Sequence, residues 1–222
     1  MDIILDGIRQ AFILLVTFDP EVLGITWFSL KVSGTATFIS LFFGMSVGTV
    51  VALTQFPGRK FVVSLINTGM ALPPVVVGLF VTIFLWRNGP LGFLEILYTP
   101  AAMILAQAII ATPIVMGISL ASMQQLPKKL RLQMVRILIR EARLPLLAAV
   151  MAGFGGVISE VGASIMVGGN IMGYTRVLTT ATVMETSRGN FDIAIALGII
   201  LLLFAYAINL VLTYVQQRER PR

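Results

Sequence analysis

The stretch Ile193 to Gln217, reading IAIALGIILLLFAYAINLVLTYVQQ, carries no charged residue. About 20 apolar residues in a helix, rising about 1.5 Å each, cross a hydrocarbon core about 30 Å thick. This run is long enough, with length left for tilt. Three others share the property: Val32 to Gln55, Phe61 to Trp86 and Ile96 to Pro127 are all charge-free. Across the 222 residues, 57% are hydrophobic and 12% charged, too little polar surface to cover a soluble core of this length. In lipid only helices and closed barrels satisfy their backbone groups, and continuous apolar runs are not the alternation of a barrel strand. The chain reads as an all-α, polytopic membrane protein.

Cysteine and histidine are both absent, so no disulfide framework, thiolate metal site or imidazole base is available. The formal charge of +6 is distributed over loops between apolar runs, which argues against a nucleic-acid partner. The start, Met1-Asp2, is acidic and lacks the basic region of a cleaved signal peptide.

Working outward, residues 1–20 fit an amphipathic helix, with Ile4, Ile8, Ala11 and Leu15 on one face and Asp2, Asp6 and Arg9 on the other. Its apolar part is too short to span, so an interfacial position is expected. The spans are placed at about 27–55, 61–86, 100–123, 144–166 and 192–216. The first contains Gly44 and Gly48, a spacing that lets helices approach closely. The second contains Pro73-Pro74, which should kink or break it, and the third contains Pro113. The fourth is rich in glycine and holds one acid, Glu160. The whole chain, 1–222, reads as one transmembrane domain of about five spans. If the 56–60 turn, the loop 124–143 and the C-terminus are cytoplasmic, that side holds 11 of the 16 Lys and Arg. The N-terminus is then outside and the C-terminus inside.

An enzyme finds little support. A phosphate-binding loop needs Gly-Lys-Ser/Thr, and no lysine here follows a glycine. Glu160 makes no carboxylate dyad, since no second acid lies deep in an apolar run. An acid inside a span faces a cavity or pore, caps a broken helix, or pairs with an arginine. An acid is also a poor ligand for an anion, so a place on a path would make it an organiser of helices. On a helix, Gln133, Arg136, Arg140 and Arg143 form one stripe and Leu130, Met134, Ile137 and Glu141 another. Such a basic-edged amphipathic helix suits docking to a cytoplasmic partner, or it is a positive loop near lipid phosphates.

The segment Ile137 to Val150 (ILIREARLPLLAAV) resembles the downstream half of the cytoplasmic signature of ABC importer permeases. Gly153 to Ala163 (GFGGVISEVGA) is similar to the segment that follows it in the molybdate, sulfate and tungstate group. Met166 to Ile171, Thr175 to Thr180 and Glu185 to Ser187 look most like tungstate-type permeases. The resemblance implies a type I importer permease in a prokaryotic inner membrane, working as a homodimer by alternating access. It implies two cytoplasmic ATPase subunits that hold the ATP and Mg, and an external solute-binding protein; this chain itself binds no cofactor. By position, the coupling helix falls around Leu126–Arg140, with Leu126, Lys128, Lys129, Leu130, Met134, Arg136, Ile137 and Arg140 toward the ATPase. The path or gate is expected at Pro73, Pro74, Ser159, Glu160, Gly168, Gly169 and Asn170. Neutral donors there suit an oxyanion that must be bound weakly enough to leave.

One departure stands out. The upstream half of the signature is missing, and no glycine occurs between Gly117 and Gly153. Either the coupling loop is short in this member, or about ten residues of it are missing from this sequence. A long Cα–Cα step near 126–133 would mark an omission; an ordinary link is about 3.8 Å. Tungstate is the expected cargo and molybdate the next. Sulfate, phosphate or an amino acid in the same superfamily, or a passive channel, are the alternatives.

Overall fold

The computed structural model describes residues 2–125 and 135–218, with the backbone alone for Asp2 and 135–146. Among these residues there are nine α-helices and no strand. The peptide spacing around 126–133 lies outside the described residues.

The frame is a pair of long helices, α1 (Asp2–Val16) being followed at once by α2 (Pro20–Leu53). Asp19 starts α2 by accepting from the Glu21 and Val22 amides, both at 3.0 Å, and Pro20 sits in the first turn. A side-chain acceptor and a proline at this point fix a helix start, and α2 accordingly begins before the apolar run does. Its 34 residues reach about 51 Å, well beyond the hydrocarbon core. The buried face of α2 is nearly all small: Ser29, Ser33, Ala36, Ser40, Gly44 and Gly48. Small residues every third or fourth position cut a groove along the helix, and the third helix of the long set, α5 (Pro100–Gln125), lies in it. A Cβ on Gly44 would stand 2.8 Å from Val115 Cβ, and one on Gly48 would stand 2.6 Å from the Met116 carbonyl oxygen. The Ser40 hydroxyl reaches across to the Ala108 carbonyl at 3.2 Å.

α5 runs unbroken through Pro113, and Gly69 of α3 packs on the proline ring, with room for no Cβ beyond 2.8 Å. The apolar run 61–86, by contrast, is cut in two. α3 (Arg59–Met70) and α4 (Pro74–Leu85) meet at 100°. Pro73 is extended (φ −63°, ψ 124°) and Pro74 opens the new helix. Neither proline donates a backbone hydrogen bond, so the first helix cannot continue through them. At 12 residues each, neither half is long enough to cross by itself. The next apolar stretch is also broken: α6 (Val135–Ile158) and α7 (Gly162–Gly168) meet at 60°. α8 (Leu178–Ser187) and α9 (Phe191–Arg218) complete the chain. Three helices, α2, α5 and α9, are thus long and apolar enough to span, and counting each bent pair as one span gives five.

α1 packs across α9 through Gly7 and the buried Ala11, while Ile4 and Ile8 stay exposed. The contact edge is therefore narrower than the apolar face that the sequence suggests. Glycine brings the two backbones together, and the larger side chains are left outside the contact.

Because the α2–α5 contact is backbone against side chain with no slack, Gly44→Val is expected to destabilise the fold by about 1–3 kcal/mol. Thermal unfolding in detergent, followed by tryptophan fluorescence, measures this. Gly198→Ala is the control: its Cβ would meet nothing within 4 Å, and stability should be unchanged or slightly raised.

Candidate functional site: the junction of two broken helices

The two interruptions lie against each other. A Cβ on Gly162, the first residue of α7, would stand 2.7 Å from Val75 Cγ2 in the first turn of α4. One on Gly78 would stand 2.6 Å from Ala163 Cα. The Pro73-Pro74 break and the Ser159-Glu160 break therefore meet through these glycines. Val77, Val81, Met103, Ala106, Ala163 and Val167 form the buried apolar core beneath them.

Glu160 has a defined job in this geometry. It is 9% exposed, and its Oε1 accepts from the Ala163 amide at 2.9 Å. It thereby caps α7, whose first amides have no helical carbonyl to donate to. The Glu160 carbonyl accepts from the Thr179 hydroxyl at 3.1 Å, tying the break to α8. Of the roles open to the acid from sequence, the capping one is what the hydrogen bonds display. Ser159 is exposed and folds its hydroxyl back to the Gly155 carbonyl at 2.8 Å, satisfying an end-of-helix acceptor.

Gly168, Gly169 and Asn170 end the same short helix. Gly169 (φ 72°) and Asn170 (φ 52°) are left-handed, a conformation that glycine adopts freely and asparagine tolerates. The Gly169 Cα faces the Tyr98 ring so closely that a Cβ would lie 2.9 Å from it, and the Tyr98 amide donates to the Val167 carbonyl at 2.8 Å. Tyr98 is itself left-handed (φ 62°). Two threonines hold the turn. The Thr175 hydroxyl bonds the Gly168 carbonyl and accepts from the Ile171 amide at 3.0 Å. The Thr180 hydroxyl lies 2.9 Å from Asn170 Oδ1 and accepts from the Val177 amide at 3.1 Å. The Ser29 hydroxyl of α2 accepts from the Leu178 amide at 2.9 Å, anchoring α8 to the frame. α7 is also gripped from α5: buried Gln107 donates to the Ser164 hydroxyl at 3.2 Å.

The path residues proposed from sequence thus bracket a single element, α7, one set at each end. Tyr98, Gln107, Thr175 and Thr180 were not singled out by sequence reasoning. The threonines stand in the polar stretch 168–190, whose hydroxyl-rich sequence is the available signal; Tyr98 and Gln107 carry none. Leu126, Lys128, Lys129, Leu130 and Met134 lie outside the described residues. Arg136, Ile137 and Arg140 fall on the first turns of α6, with their side chains outside the described part. Chemically the junction offers hydroxyls, amides and one engaged carboxylate. Among the described residues no cluster of His, Cys, Asp or Glu is placed to hold a metal.

Three long spanning helices and two bent pairs that meet at one junction make an all-α membrane fold that resembles an ABC importer permease. The chain superposes on one from a solved structure described as inward-facing conformations of the MetNI methionine ABC transporter, with a TM-score of 0.73 at 16% identity. The match covers 90% of this chain and 97% of that one. Within that fold class, the chain belongs to the ABC permease family that includes the tungstate uptake system permease protein TupB of Peptoclostridium acidaminophilum. It is 40% identical to that protein over 227 residues, covering 98% of this chain and 100% of the relative. It is also 41% identical to a probable anion ABC transporter permease of Haloferax volcanii, over 85% of this chain and 88% of that one. No family model matches the chain. It is a multi-pass membrane protein and a transport component.

If Glu160 acts through its cap, Glu160→Ala should cost about 1 kcal/mol, within the range for a lost helix N-cap. Glu160→Gln, which keeps an acceptor oxygen, should recover most of it; unfolding in detergent reads both.

Proposed function

We propose that the chain is the permease subunit of an ATP-driven importer for a small oxyanion, with tungstate as cargo. The observation that carries the reading is the 40% identity to a tungstate uptake permease along its entire length. The junction is compatible with it: the Gly168 to Asn170 turn carries no full positive charge, and neutral groups release an oxyanion more readily than full charges do. Glu160 serves as the organiser that keeps α7 intact. Alternating access then consists of tilting α7 and α4 together at the two breaks, with Pro73-Pro74 and Ser159-Glu160 as the flexing points and Gly168 to Asn170 as the outer rim.

The work comes from elsewhere. The chain has no Gly-Lys-Ser/Thr loop, so a separate cytoplasmic subunit binds ATP and Mg and hydrolyses it. Leu126, Lys128, Lys129, Leu130, Met134, Arg136, Ile137 and Arg140 present the docking helix to that subunit. The alignment with the Peptoclostridium relative runs over 227 positions, more than the 222 residues of this chain. That relative therefore has residues with no counterpart here. An external solute-binding protein delivers the anion, and two copies of the chain form the path. The basic residues favour an outside N-terminus and a cytoplasmic C-terminus.

Vesicles holding the chain with its ATPase partner and solute-binding protein should accumulate tungstate only when ATP is inside. Uptake unaffected by ATP removal would reject the importer, and a preference for sulfate or phosphate would reassign the cargo. Orientation is checked on this cysteine-free background. Asn88→Cys should react with an impermeant maleimide added to intact cells, and Lys60→Cys should not.

A further inference from the structure

We propose that a groove between the first turns of α2 and the turn 171–176 is an entry site for the oxyanion, with Arg176 and Lys31 as its cationic ligands. This rests on the importer reading above. The starting observation is that Arg176 is poorly satisfied. Its side chain is 11% exposed, and its one carboxylate neighbour, Glu21 Oε1, is 3.7 Å from NH1. Charge-assisted hydrogen bonds of this type are about 2.7–2.9 Å. The other contact is a thioether, Met184 Sδ, at 3.6 Å from NH2, and the buried Nε has no partner. A guanidinium has five donors, so its burial with one long ion pair and a partnerless Nε among the described residues is costly. The shortfall is what an incoming anion would fill.

Two cavities flank Arg176, and their charges decide between them. The one of about 240 Å³ is also lined by Asp19, Glu21 and Glu185, and it would repel an anion. The one of about 390 Å³ sets Arg176 and Lys31 against Glu21 alone, with Tyr174 and Trp27 at its sides. Space is available in it: a Cβ on either Gly24 or Gly173 would meet nothing within 4 Å. Gly173 is also left-handed (φ 72°), so no larger residue fills that place without strain. Lys31 immediately precedes the charge-free run that starts at Val32. Lys31 is exposed and the groove lies toward the N-terminal end of α2, where the charges Asp19, Glu21 and Lys31 favour contact with water. Glu21 is half exposed and competes with the anion for Arg176. An anion that docks displaces Glu21, and Glu21 in turn keeps the hold weak enough for release.

The test uses tungstate uptake by the complete importer in vesicles, with the KM for the loaded solute-binding protein and direct tungstate titration of the full-length chain in detergent. Lys31→Gln, an exposed change, should weaken titrated affinity about fivefold, the upper end for one exposed charge pair. Gly24→Leu, which has room on the helix but fills the groove, should weaken it at least as much. Glu21→Gln should strengthen it, because the competing carboxylate is gone. That gain separates a ligand site from a structural Glu21–Arg176 pair, for which Glu21→Gln lowers thermal stability and leaves affinity unchanged. Unchanged affinity and KM in folded Lys31→Gln, Gly24→Leu and Glu21→Gln chains would overturn the entry site while leaving the importer reading intact. A wild-type complex that imports no oxyanion sinks both.

Discussion

A helix broken in a lipid bilayer leaves amide and carbonyl groups that no water can satisfy, and everything unusual in this chain follows from meeting that demand. Two apolar stretches are broken, at Pro73-Pro74 and at Ser159 to Val161. Each solution uses local chemistry. Prolines bring no amide to leave bare, and Glu160 supplies a carboxylate oxygen to the Ala163 amide in the first turn of α7. At the far end of α7, threonine hydroxyls take over the carbonyl and amide groups that the turn frees. The result is a short helix held at both ends by hydrogen bonds and along its side by glycine contacts to α4 and α5. It is positioned without being a straight extension of a long helix, from which it is bent by 60°.

The frame works the other way. α2 and α5 are uninterrupted, and α2 is lined by small residues at Ala36, Ser40, Gly44 and Gly48. With lipid as the alternative neighbour, hydrophobicity gives helices no reason to associate, and close packing is what remains. The close approach of Gly48 to the Met116 carbonyl therefore leaves this contact little room to give.

Much of this was legible from residues alone. Charge-free runs revealed the spans because the bilayer is a blunt, one-dimensional filter on composition. Pro73-Pro74 announced its break because proline acts locally, and Gly44 with Gly48 hinted at a close approach. What the runs could not show was pairing. Nothing in sequence says that Val75 meets Gly162, that Gln107 reaches Ser164, or that Tyr98 lies on Gly169, since each contact joins segments remote in the chain. Glu160 was visible as an anomaly, yet its role depended on where one amide, that of Ala163, points. The Arg176 environment was hidden for the same reason: an arginine's burial is a property of the folded neighbourhood. The family resemblance carried by 137–198 was the one route by which sequence pointed at the junction as a whole.

Pro113 carries a mechanical implication. It removes one bond from the α5 ladder at the level where Gly69 leans on its ring. That turn is held by one rung fewer than its neighbours, so α5 is most compliant in the middle of its length. On its C-terminal side α5 leads toward the proposed docking stretch; on its N-terminal side it grips α7 through Gln107. The C-terminal half of the helix can thus behave as a crank arm that pivots while the N-terminal half keeps its hold.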